Sequence, residues 1–172
     1  QHLMFPSIWN ASVDDTTRIA LASSHDGRTW HWVPHGDLLR TPPFGQWDGG
    51  CIWVAPDLIE LPNGDWALPY IANNFPHKYP RGQRTSETGY AVWPKGRLVA
   101  VATDDLGEFT LIPIMAKGKT LRINALTLRT GWIKMEVIGV EGRRLADCIP
   151  IVGDQHWSRV TWRTSDDFGV DE

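Results

Sequence analysis

No stretch of twelve residues in this chain keeps the apolar i, i+3, i+4, i+7 rhythm of an amphipathic helix, and 16 glycines and 12 prolines are spread along its 172 residues. What recurs instead is a short β-branched or aromatic run bounded by turn residues. Such runs cover residues 3–9, 18–23, 29–33, 51–60, 66–72, 89–93 and 97–103. Asn63-Gly64, between two apolar runs, is the strongest hairpin signal, because both residues tolerate positive φ. Pro94-Lys95-Gly96 joins the last two runs. Near Asp104 to Gly107 the character changes. Long polar loops at 36–50 and 73–88 give way to runs at 109–114, 120–128, 131–138, 144–149 and 159–163, a spacing that reads as a β-sandwich. The expectation is an all-β chain, with a hairpin region over residues 1–104 and a sandwich over 105–172.

Composition narrows the function classes. Hydrophobic residues make up 42% and charged residues 22%, which suits a folded domain and not a disordered tail. A net charge of -3 without a basic run leaves no footprint for nucleic acid. Apolar runs such as 98–102 fall far short of the roughly 20 residues that cross a membrane, so neither nucleic acid nor membrane is an expected partner. Gln1 opens the chain without a basic stretch leading into an apolar one; a removed signal or an excised piece both fit, and the compartment stays open. Cys51 and Cys148 are the only cysteines, too few for a disulfide scaffold or a thiolate metal site. The histidines share no ligand spacing, so no metal and no cofactor are expected. The 10 Trp, against 3 Tyr and 5 Phe, exceed what one β core needs, and the surplus suits a surface that stacks on sugar rings.

Three stretches carry a family likeness. Ser24-His25-Asp26-Gly27-Arg28-Thr29-Trp30 resembles the Asp-box hairpins of sialidases and of five-bladed propeller glycosidases. The Asp of such a turn caps its own backbone, the Gly supplies positive φ, and the Trp packs beneath the hairpin. Residues 52–60, with Trp53-Val54-Ala55-Pro56-Asp57, followed by Asn63-Gly64-Asp65-Trp66-Ala67-Leu68-Pro69-Tyr70, resemble paired strands of arabinanase, xylosidase and invertase propellers, here with Val54 inserted. Residues 108–162 resemble the β-sandwich appended to many bacterial enzymes of this kind. The resemblance implies the C-terminal part of a five-bladed propeller glycoside hydrolase. A full propeller needs on the order of 250–300 residues, so about two blades fit before the sandwich. Two blades expose strand edges and an apolar face, which either a symmetric homodimer or the missing blades of a longer parent chain would cover.

Glycoside hydrolysis needs two carboxyl groups across the scissile bond. Asp48 is the leading candidate: it follows Trp47, a stacking platform, and precedes Gly49-Gly50, which would let a ligand approach the backbone. Asp57 follows Pro56 on an expected strand, and Glu87 closes a long polar loop where a general acid could sit. Trp47, Trp53, His77 and Arg84 are the candidate sugar-binding residues, the last two in a loop long enough to be functional. The leading expectation is therefore a glycoside hydrolase, or part of one, acting by paired-carboxylate chemistry on a carbohydrate ligand. The rivals are a non-catalytic carbohydrate-binding module that uses Trp platforms alone, and a structural fragment of a larger chain.

Overall fold

The computed structural model describes residues 2–79 and 81–170 and is all-β, with ten strands and one short 3₁₀ turn at Arg81–Gln83 among those residues. The chain divides into two compact units, Gln1–Ala100 and Val101–Glu172. The composition change at residues 104–107 lies just beyond that division.

The first unit builds the same object twice. In sheet one, β1 (His2–Met4) and β2 (Ser7–Trp9) both pair antiparallel with the central β3 (Thr17–Ser24), and β4 (His31–Arg40) pairs with its other edge. In sheet two, β5 (Cys51–Val54) and β6 (Ile59–Glu60) pair with the central β7 (Trp66–Asn73), and β8 (Ser86–Trp93) takes the other edge. Each first strand is therefore broken in two, where the sequence read as one run over 3–9 and over 51–60. Pro6 and Pro56 explain the breaks, since a proline has no N–H to give to a ladder. The run at 97–103 forms no strand: a turn closes from Pro94 O to Arg97 N at 3.0 Å, and Val99 and Val101 stay exposed with no buried face to reward pairing.

The connecting turns follow from their side chains. Asp26 Oδ1 accepts from the N–H of Arg28 (2.8 Å) and of Thr29 (2.9 Å) and from the Ser24 hydroxyl, while Gly27 sits at φ 73°. Those donors hold the Asp26 carboxyl down at about 2, below its ordinary value of 3.8. Between β6 and β7, Gly64 takes φ 87° and Asn63 accepts from the Asp65 N–H. Both turns use Asp or Asn to hold the backbone and Gly to adopt the left-handed conformation.

Two hydroxyls join the sheets. The outward backbone of β5 at Ile52 meets the fully buried Thr17 side chain, whose hydroxyl accepts from Ile52 N–H at 2.6 Å and donates to Ile52 O at 2.5 Å. Two residues along, Val54 N–H donates to Ser7 Oγ at 3.1 Å. Around this seam Ile19, Ile52, Leu68 and Ala72 form the core, with Phe5, Leu39, Val54, Tyr70 and Trp93 packed on it.

The second unit holds one two-stranded sheet, β9 (Arg122–Leu126) with β10 (Asp154–Arg159), and isolated bridges that include Ile133 to Ile151 and Cys148 to Trp162. Cys148, Ile151, Val160 and Trp162 form its core, the indole of Trp162 donating to Met135 O at 3.1 Å. Arg143 is buried, its guanidinium on Asp167 at 2.7 Å and over the Trp162 ring, and that contact holds the Asp167 carboxyl below its ordinary range. The runs expected at 109–114, 131–138 and 144–149 form no strands here. Phe109, Leu111, Ile112 and Ile114 are exposed, so that run has strand composition but no apolar surface facing it. The strand expected at 159–163 lies upstream, at β10.

Two outcomes follow. Thr17→Val keeps the shape but orphans both Ile52 backbone groups, so urea unfolding should show a loss of roughly 2–4 kcal/mol, with Thr17→Ser close to wild type. The depressed Asp26 carboxyl stabilises the fold above pH 3.8 and loses that contribution as pH falls through about 2. Carboxyl NMR should place its midpoint there, and Asp26→Ala should flatten the acid limb of the stability profile.

Candidate active site

Strand register sets the floor of the site. Ile52 faces Ala72, Val54 faces Tyr70, Tyr70 faces Gly89 and Ala72 faces Glu87, so these side chains share one face of sheet two. The loop before β5 lies across that face and brings Trp47 and Asp48 onto it. The Trp47 and Tyr70 rings stack at 6.0 Å and 24°. Gly89 makes this possible, because a Cβ there would stand 2.7 Å from the Trp47 ring and 2.8 Å from that of Tyr70.

Asp48 is only 7% exposed. Its Oδ2 accepts from the Tyr70 hydroxyl at 3.2 Å, while the buried Oδ1 has no hydrogen-bond partner among the described residues. A cavity of about 110 Å³ opens beside it, lined by Leu39, Arg40, Pro42, Asp48, Ile52 and Tyr70. Burial, and then the charge and hydrogen bond of Asp48, push the Tyr70 phenol above its ordinary value, so it remains a protonated donor. The arrangement offers one buried carboxylate with a free acceptor site, one fixed phenol and an aromatic shelf. Such a set can take hydroxyl groups and the apolar face of a ring.

The other candidates fall in different places. Glu87 is exposed on β8, on the same face as Tyr70 and two residues from Gly89, about 7 Å along the strand. Asp57 is exposed in the break between β5 and β6. Trp53 alternates with Val54 and so faces the opposite side of the sheet, where its ring meets His77 at 5.3 Å. Arg84 joins that second group by donating to His77 O at 3.3 Å. The structure thus gathers Trp47 with Asp48 on one face, and Trp53, His77 and Arg84 on the other.

The reading of Gly49-Gly50 needs correction. A Cβ at Gly50 would lie 2.1–2.3 Å from Phe75 backbone atoms, and one at Gly49 would lie 2.4 Å from Pro43 O. These glycines make room for the protein's own backbone, not for a ligand. Sequence reasoning missed Tyr70, although strand alternation from Leu68 could have placed it on the core-facing side. It also missed Trp9, whose ring meets His77 at 5.0 Å.

Comparison of the chain with known protein families, with curated proteins and with solved structures returned no match.

Gly89→Ala should push Trp47 off Tyr70, change the near-UV circular dichroism and cost about 1–3 kcal/mol in urea unfolding. Because the Asp48 charge helps hold the Tyr70 phenol up, Asp48→Asn should lower the Tyr70 midpoint toward the ordinary tyrosine value in a spectrophotometric titration. An unmoved midpoint would separate the two residues.

Proposed function

We propose that this chain is the sugar-handling part of a glycoside hydrolase, with Asp48 as one carboxylate of the catalytic pair. One observation carries the reading: a carboxylate more than nine-tenths buried, fixed through one oxygen by Tyr70, keeps the other oxygen unpartnered beside a cavity. Leaving a buried acceptor unsatisfied costs about 1–3 kcal/mol, more for a charge, and a ligand hydroxyl would recover it. The Trp47–Tyr70 pair supports the rest, since indole and phenol faces suit the C–H face of a sugar ring. The cavity takes a hydroxyl or hydroxymethyl group, and the ring rests on the shelf outside it.

Hydrolysis requires a second carboxyl group. Glu87 is the better partner, because it shares the Asp48 face and, exposed on β8, is free to reach a ligand lying along that face, where the general-acid role would fall to it. Asp57, out in the strand break, is left to bind or shape the rim. The resemblance of residues 24–30 and 52–70 to propeller glycosidases points the same way. A second reading, a carbohydrate-binding module without turnover, draws on the exposure of both Asp57 and Glu87, which leaves Asp48 as the buried carboxylate of the three.

A panel of aryl glycosides, with Trp fluorescence followed in parallel, separates the two. The expected result is turnover of at least one substrate, a loss of about 10²-fold or more in kcat for Asp48→Asn and for Glu87→Gln, and little change for Asp57→Asn. Sugar-induced fluorescence change without turnover would assign the binding module, and neither signal would remove both.

A further inference from the structure

We propose that Asp15 is a latch: it fixes residues 74–79 against the first sheet and, through them, positions the loop that carries Trp47 and Asp48. The inference does not rest on the sugar-handling reading, since it concerns how the loops are held.

Asp15 stands in the turn between β2 and β3 with φ 60°, a conformation that a non-glycine residue seldom adopts. Every acceptor it owns is directed across a sequence gap or along the hairpin. Its Oδ1 accepts from the Trp9 indole N–H at 2.9 Å and its Oδ2 from the Lys78 backbone N–H at 2.5 Å. Its carbonyl accepts from His77 N–H at 3.1 Å. The Lys78 ammonium lies 3.9 Å from Oδ1 and 4.7 Å over the Trp9 ring. The His77 ring is wedged edge-on between Trp9 and Trp53. The positive φ aims both the carboxylate and the carbonyl at one short piece of chain, which is why the strained turn residue is an Asp.

That piece of chain is held from its other side by the site loop. Phe75 stacks on Tyr79 at 4.8 Å and meets Phe44 edge-on at 5.4 Å, and its backbone fills the space that Gly50 leaves. Gly50 N–H donates to Asn73 O at 2.8 Å. Trp47 and Asp48 lie between the two anchors Phe44 and Gly50. Residues 74–79 are therefore clamped between Asp15 and the site loop, and release on the Asp15 side frees the wall against which that loop is set.

The test is limited trypsin digestion joined to ¹⁹F NMR of the full chain labelled with 5-fluorotryptophan, the Trp47 resonance assigned with Trp47→Phe. Asp15→Gly keeps the positive φ but removes the carboxylate. Cleavage after Lys78 and Arg84 should rise about tenfold or more, and the Trp47 resonance should shift or broaden. Asp14→Ala is the control: Asp14 is in the same turn, but its carboxylate bonds within the hairpin, to Thr16 N–H (3.1 Å) and hydroxyl (2.8 Å), and it should behave as wild type. Asp15→Asn, which keeps one acceptor oxygen, should cleave at an intermediate rate and serves if the glycine variant does not fold. Wild-type cleavage in the Asp15 variants, or an unmoved Trp47 resonance beside faster cleavage, would overturn the latch.

Discussion

The outer edge of β5 is the point on which the first unit depends. An edge strand presents N–H and C=O groups that water or another strand must satisfy, and here that edge faces the interior of the unit. No strand fills it. A single buried hydroxyl, Thr17, both accepts from and donates to Ile52, and Ser7 takes the Val54 N–H. With the polar groups satisfied, Ile52 and Ile19 can bring their side chains together with Leu68 and Ala72 in one core. Without the two hydroxyls, burying that apolar surface would strand three backbone groups, each at a cost of about 1–3 kcal/mol.

The candidate site inherits its geometry from this seam. Ile52, whose backbone Thr17 holds, lines the cavity beside Asp48, and Val54 lies directly across from Tyr70. The Asp48 loop is fixed at its far end by Gly50 against Phe75, immediately before β5 begins. A carboxylate with an unpartnered oxygen therefore sits where the two sheets are most firmly joined. Rigid support of this kind holds the Asp48 side chain in place instead of letting it relax onto a neighbour.

Much of the fold was legible because local chemistry dictates it. Asp26-Gly27 and Asn63-Gly64 close turns through side chains and φ values that their residue types favour, and the absence of helical rhythm excluded every other fold class. The strand breaks at Pro6 and Pro56 were not read from the sequence, where both stretches looked continuous, although the missing N–H of each proline marks them. The seam was not legible, because Thr17 in a polar run looks like any turn threonine and its partner is 35 positions away. The Trp-Asp-Gly-Gly setting singled out Asp48, but Gly49 and Gly50, expected to admit a ligand, serve packing. Strand alternation could have placed Tyr70 on its face, but the partners of Trp9 and Asp15 at residues 77 and 78 lie far along the chain, and no local pattern announces them. In the second unit, apolar runs such as 109–114 have the composition of strands, yet composition cannot supply a facing surface.

Hydrogen exchange of individual backbone amides tests the seam most directly. If the two hydroxyls stand in for a missing strand, the Ile52 and Val54 amides should be protected to the same degree as the central β7 amides of Leu68 and Ala72 and should exchange only with global unfolding. Exchange of Ile52 and Val54 as fast as an exposed amide, while β7 stays protected, would show that the edge of β5 is open to water and would contradict the account.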